Sequence, residues 1–266
     1  MSNIVTPPFC ELWHKQGGKV RLENFYRVLL GKREGQNVWI VDGAKVMREL
    51  YPAFVMGGND QRYRFNPTGD IWLDNRIGAI ELEYTLGHEL IERRLMRTKG
   101  MTYDKAHQHG LDLELKMREA DARNVLRQQA EVDKRIAPVY RAFYQTVDGV
   151  NVWLVDGPTV RGTLDGDFCF VASDAEYSFI PEGEIWLDAT MTCEHVHFAL
   201  VHEFERRRVV ASGKRGHAYE AGLCKQIEAY AAMSKLATEH EAALPDVSYG
   251  NRYRGVKPQS RRRKRS

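Results

Sequence analysis

The sequence predicts an α+β fold made of two tandem repeats, each a small sheet followed by two helices, packed as a pseudo-twofold pair. The first observation behind this is that residues 26 to 94 recur 114 positions later with no gap. Val38-Trp39-Ile40-Val41-Asp42-Gly43 returns as Val152-Trp153-Leu154-Val155-Asp156-Gly157, and Ile71-Trp72-Leu73-Asp74 as Ile185-Trp186-Leu187-Asp188. Tyr63, Phe65, Pro67 and Gly69 match Tyr177, Phe179, Pro181 and Gly183, and His88-Glu89 matches His202-Glu203. A repeat of this kind has to be recognised before any fold is assigned. The second observation is that each copy changes from short apolar runs to helical spacing part-way along. The third is length, since 266 residues supply two units of roughly 110 residues, each able to close a core. Two copies of one unit in one chain can reproduce the self-complementary contact of a C2 dimer.

Residues 1–25 read as a lead segment, because Pro7-Pro8 and Gly17-Gly18 interrupt regular structure. The first repeat spans 26–137. Val38 to Val41 is a strand closed by an Asp42-Gly43 turn. Tyr63 to Phe65 alternates and stops at Pro67 and Gly69, and Ile71 to Leu73 is a third strand ended by Asp74. From about Ile77 to Arg97, Ile80, Tyr84, Ile91 and Leu95 fall at helical spacing, and Lys99-Gly100 ends the helix. A second helix starts near Thr102 and runs toward Arg135, with Pro138 beyond it. The second repeat spans 138–242. Residues 243–266 turn to Gly, Pro, Ser and Arg, a composition expected to be disordered.

With 43% apolar and 28% charged residues the chain reads as soluble and globular. Cys10, Cys169, Cys193 and Cys224 form no CxxC pair, which points to free thiols in a reducing compartment. No apolar run reaches membrane-spanning length, and no signal segment opens the chain, so the expected location is cytoplasmic. The net charge is +3, but Arg261-Arg262-Arg263-Lys264-Arg265 carries five positive charges and the remainder sums to −2. Such a tail can bind nucleic acid through phosphates, or it can serve only to solubilise or target the chain.

The chemistry-bearing residues cluster on the first repeat's helices. His88 and Glu92 are four apart, share a helix face and can hold one metal between them. They lie on the apolar stripe with Tyr84, Ile91 and Leu95, where an unsatisfied polar group costs about 1–3 kcal/mol. On the second helix Tyr103, His107, Gly110 and Glu114 share a face. If that face meets the first helix, His107 completes a His88/Glu92/His107 set, with Gly110 permitting close approach. Two histidines and a carboxylate leave a fourth position for water, as in catalytic zinc sites. Glu89 lies to the side of this set, and Tyr103 is one turn before His107, able to donate a hydrogen bond to a developing oxyanion.

The second repeat acts as a control. It keeps His202 and Glu203 but has Arg206 in place of Glu92. The strict offset puts Ala221 opposite His107, and a two-residue gap in the turn puts Tyr219 there instead. In neither register does the second copy have three ligands. Arg93/Arg207 and Arg94/Arg208 persist in both copies and are assigned to structure, as ion pairs between helices. The Trp72/Trp186 pair is likewise structural.

The run Asp70-Ile71-Trp72-Leu73-Asp74, then His88-Glu89-Leu90-Ile91-Glu92, then Tyr103-x-x-Ala106-His107, resembles small zincin-like metallopeptidase domains of phage and bacterial proteins. The resemblance covers residues 70–114, with the second repeat as a degenerate echo. It implies zinc held by His88, Glu92 and His107, with Glu89 as the general base on the ion's water. It also implies a peptide or protein substrate that pairs with the strand at residues 70–74. The departure is that Glu92 stands where HExxH has histidine, which bears on proteolysis more than on metal binding. Two functions follow. One is a zinc-dependent hydrolase, a peptidase, working from the first repeat. The other is an inactive zincin-like scaffold that contacts protein or nucleic acid.

Overall fold

The computed structural model describes residues 19–20, 22–244 and 247–248 of the chain. Strand β1 (Lys19–Val20) pairs with β10 (Val247–Ser248), so part of the segments expected to lack regular structure is strand. Arg261–Arg265 and Cys10 lie outside the described residues.

Each repeat forms a four-stranded mixed sheet. The first contains β2 (Tyr26–Arg33), β3 (Gln36–Val41), β4 (Gly57–Asn59) and β5 (Asp70–Asp74) in the order β2-β3-β5-β4. The second contains β6 (Tyr140–Val147), β7 (Val150–Val155), β8 (Val171–Ser173) and β9 (Glu184–Asp188) in the order β6-β7-β9-β8. β3/β5 and β7/β9 are parallel; the other pairs are antiparallel. The hairpins close through Glu34-Gly35 (φ 48° and 76°) and Asp148-Gly149 (φ 49° and 78°), the two left-handed residues that a type I′ turn needs.

Asp42-Gly43 begins a helix instead of making the expected turn. Asp42 accepts a hydrogen bond from the Lys45 amide at 2.8 Å and caps α1 (Gly43–Glu49), and Asp156 caps α4 (Gly157–Thr163) in the same way. The glycine is needed because a Cβ at Gly43 would lie 2.1 Å from the Asp74 carboxyl carbon. Tyr63 to Phe65 is a turn segment and not a strand. The Asn59 side chain accepts from the Gln61 and Arg62 amides and folds the chain there, so the alternation records Phe65 packing inward against Trp72. The strand that flanks β5 on the side away from β3 is β4.

The helices are α2 (Leu82–Lys99), α3 (Tyr103–Glu131), α5 (Cys193–Ala211) and α6 (Ala218–Ala243). Gly100 ends α2 with φ 60°, its amide bonded to the Leu95 carbonyl, and α3 stops at Glu131, short of Arg135. Pro138 sits in a short 3₁₀ turn that leads into β6. β5 and β9 are buried throughout, with Trp72 and Trp186 fully enclosed. Among the described residues no helix is long and apolar enough to cross a membrane. Cys169, Cys193 and Cys224 are free thiols.

The repeats contact each other reciprocally. α3 packs on α2 and also on β6 of the second sheet, and α6 packs on α5 and on β2 of the first. Gln128 of α3 donates to Glu184 at 2.6 Å, and Tyr140 donates to the same carboxylate at 2.7 Å. His240 of α6 and Tyr26 both bond Asp70, at 2.9 and 2.8 Å. Between the sheets Gly78 and Thr192, 114 apart, form an antiparallel bridge. The Ala79 amide donates to the Met191 carbonyl at 2.8 Å, and the Cys193 amide to the Ile77 carbonyl at 2.9 Å.

Asp70→Ala strands the buried Tyr26 hydroxyl and leaves His240 without its acceptor. It should lower unfolding free energy by about 3 kcal/mol in urea titrations, while Gln128→Ala, at the less buried matching contact, should cost about 1 kcal/mol. Equal and negligible effects would show that these contacts do not hold the repeats together.

Candidate metal centre

The crossing of α2 and α3 brings the polar residues together. Gly110 faces His88, and a Cβ there would lie 2.7 Å from the imidazole, so only glycine lets the helices approach this closely. His88 Nε2, His107 Nδ1 and Glu92 Oε2 then converge. The two nitrogens are 2.8 Å apart, and Glu92 Oε2 is 3.4 Å from His88 Nε2 and 3.2 Å from His107 Nδ1. Tetrahedral bonds of about 2.0–2.2 Å hold ligand atoms about 3.3–3.6 Å apart, so these atoms fit one ion if the imidazoles part by about half an ångström. Among the described residues this is the group of three or more His, Cys, Asp or Glu side chains placed to hold a metal. The three side chains predicted to converge are brought together, and Arg93 and Arg94 pair elsewhere.

The surroundings orient the set. His88 Nδ1 meets Glu114 Oε1 at 2.6 Å, which fixes the ring with Nε2 toward Glu92 and His107. A carboxylate behind a histidine ligand raises its basicity. Glu114 is held in turn by Arg118, which also pairs with Glu81. Asn59 on β4 donates to Glu89 Oε2 at 2.8 Å and to Glu92 Oε1 at 2.9 Å, bridging the proposed base and ligand. His88, Glu89 and Glu92 are buried at 6%, 9% and 2% exposure, and the His107 side chain, at 38%, marks the open edge.

Electrostatics separate the two carboxylates. Burial and the neighbouring Glu92 charge push Glu89 well above the usual carboxylate range. Burial also acts to raise Glu92, but hydrogen bonds from His107, His88 and Asn59 outweigh it and hold Glu92 low and ionised. For His88 burial favours the neutral ring, yet the surrounding Glu92, Glu89 and Glu114 carboxylates raise its pKa overall. Tyr103 enters through its ring, stacked on His107 with centroids 5.1 Å apart, while the Arg62 guanidinium carbon lies 3.7 Å from the ring centre.

Two expectations are corrected. β5, residues 70–74, is paired on both sides and buried, so it has no free edge for a peptide; the sheet edge next to α2 is β4. The repeated arginines do not link helices. Arg93 pairs with Asp60 at 2.6 Å and Arg207 with Asp174, each in the loop after its edge strand. Arg94 reaches Glu34 in the hairpin, and Arg208 pairs with Glu205 on its own helix.

In the second repeat the helix pair keeps its close approach but loses the ligand set. A Cβ at Gly222 would lie 2.8 Å from the Arg206 side chain and from the His202 carbonyl, so Gly222 is the counterpart of Gly110 and the register with a two-residue gap holds. Tyr219 stands against His202 at 5.4 Å in the place of His107. Arg206 pairs with Glu176 at 2.6 Å and Glu203 at 3.2 Å. Burial and Arg206 lower the pKa of His202, the opposite of His88.

Sequence reasoning placed Glu114 on the right face without a role and passed over Asn59. Both differ between the copies, as Gln226 and Ser173, and that one-sided change was the available signal. No protein-family model matches the chain, and no curated protein or solved structure was found to be similar to it.

If the cluster holds a metal, Glu114→Gln should keep the fold and weaken binding of added zinc about 10–100-fold, measured by competition with a chromophoric chelator. Unchanged affinity would remove Glu114 from the site. Gly110→Ala should cost about 1–3 kcal/mol of stability through overpacking against His88, with metal affinity falling in parallel.

Proposed function

We propose that the first repeat is a zinc-dependent hydrolase unit, acting as a peptidase on protein or peptide substrates, and that the second is its structural partner. The observation that carries this reading is the convergence of His88 Nε2, His107 Nδ1 and Glu92 Oε2, with Glu114 backing His88. The donor set fits zinc in type and number, with two imidazoles, one carboxylate and an open fourth position. A bound zinc ion would supply Lewis acidity and make a coordinated water acidic enough to ionise near neutral pH.

The residues around it take distinct parts. Glu92, kept ionised, contributes the only charged ligand. Glu89 shares the Asn59 amide with Glu92, so its carboxyl lies beside the ligand set; burial and Glu92 favour its protonated form, and the positive charge of a bound ion would favour the ionised form that accepts a proton from water and returns it to the leaving group. Asn59 fixes the Glu89 rotamer. Tyr103 and Arg62 border the open side, where Arg62 supplies positive charge and the Tyr103 hydroxyl serves a developing oxyanion. The zincin-like relationship belongs to this same reading, as does the pseudo-twofold packing, which the reciprocal bonds around Gly78 and Thr192 and around Asp70 and Glu184 support. A role for Arg261–Arg265 in nucleic-acid binding would be seen as steep salt dependence lost on deleting the run.

The inactive-scaffold reading has one observation in its favour. His88, His107 and Glu92 also satisfy one another by hydrogen bonding. The two readings differ in metal content. Purified chain should carry one zinc, lost in His88→Ala and kept in His202→Ala. Glu89→Gln should keep the zinc and lose hydrolysis of casein by about 10²–10⁴-fold. A metal-free protein, or equal effects of the two histidine changes, would favour the scaffold.

A further inference from the structure

The second repeat holds a half-open cavity of about 540 Å³ at the position that corresponds to the metal centre. Its volume lies in the range of small-molecule sites, about 300–1,000 Å³. Its walls are largely apolar, built from Phe170, Val171, Tyr177, Met191, Ala199 and Tyr219. His202, Arg206 and Gln226 belong to its polar lining, together with Glu176, Thr190 and Thr192. These are the positions of His88, Glu92 and Glu114, so the residue changes that remove the ligands create the polar end of the cavity.

Two atoms of that group have no partner. His202, 7% exposed, leaves Nδ1 without a well-formed hydrogen bond although Gln226 lies beside the ring, and Arg206, whose side chain is 14% exposed, leaves Nε unbonded. Buried polar groups of this kind are costly when nothing satisfies them. In the first repeat the matching His88 nitrogen is bonded to Glu114. Charge narrows the choice of occupant. A cationic head carries only donors and cannot accept from the Arg206 Nε–H. Glu176 and Glu203 already neutralise it and disfavour an anionic one. Asp167 also lines the cavity and adds to the case against an anion, and His195 is the other titratable imidazole there. An uncharged head with both an acceptor and a donor can serve Arg206 Nε–H and the His202 ring together, after a small shift of either side chain.

We propose that this cavity is a binding site for an uncharged small molecule with an apolar, ring-sized body and a carboxamide head. The apolar body lies among Phe170, Tyr177, Met191 and Tyr219, and the head reaches Arg206 and His202. The site is independent of any metal in the first repeat.

The test uses the full chain in EDTA and three probes of one shape: 2-naphthamide, 2-naphthoate and 2-naphthylmethylamine. Binding is followed by calorimetry and ligand-observed NMR. 2-Naphthamide should bind at least ten-fold more tightly than either charged probe. Ala199→Phe, which fills the cavity, should weaken it at least ten-fold. Arg206→Lys keeps the charge beside Glu176 but removes Nε–H, and should reduce the amide preference to below three-fold. No binding of 2-naphthamide, equal or tighter binding of a charged probe, or a full preference retained in Arg206→Lys overturns the proposal. If Ala199→Phe does not fold, the probe comparison and Arg206→Lys decide it.

Discussion

The close crossing of paired helices at a glycine is the constraint on which both repeats depend. A Cβ at position 110 or 222 would come within 2.7 or 2.8 Å of atoms of the facing helix, closer than packed atoms tolerate. With glycine there, α3 sits against α2 and α6 against α5, so one turn of each helix can share a single small volume. In the first repeat that volume holds two imidazoles and a carboxylate. In the second it holds an imidazole, a guanidinium and a phenol. The backbone arrangement is common to both, and the chemistry is set by a few side chains.

The same crossing sends the long helices beyond their own sheets. α3 continues from the site to β6, and α6 returns to β2. Buried carboxylates receive them, Glu184 for Gln128 and Asp70 for His240. A residue such as Asp70 therefore serves three elements at once. It anchors Tyr26 and His240 and also accepts from Asn37 at 3.1 Å. The bridge at Gly78 and Thr192 lies just before α2 and α5, so the two candidate sites are set from one shared seam.

Much of this was legible in the sequence because a repeat carries its own control. The α+β class, β3 and β5, the end of α2 at Gly100 and the His88/Glu92/His107 grouping all follow from offset and helical spacing. The misreadings have physical causes. Asp42-Gly43 looks like a turn, but Asp is equally an N-cap, and the Cβ-free residue answers to Asp74 across space. Tyr63 to Phe65 alternates because one ring packs inward, with no partner strand beside it. Residues 70–74 show a short apolar run, which does not reveal that both edges are paired. The hairpin strand β2 is half-exposed and irregular in register, so it gave little signal. Asn59 and Glu114 act on neighbours through space, and only their replacement by Ser173 and Gln226 marks them.

Locating a metal by anomalous diffraction, in crystals grown with stoichiometric zinc, tests the asymmetry between the repeats most directly. One peak per chain is expected, about 2.0–2.2 Å from His88 Nε2, His107 Nδ1 and Glu92 Oε2, with none beside His202. A peak at His202, or none at His88 with zinc present in excess, would contradict it.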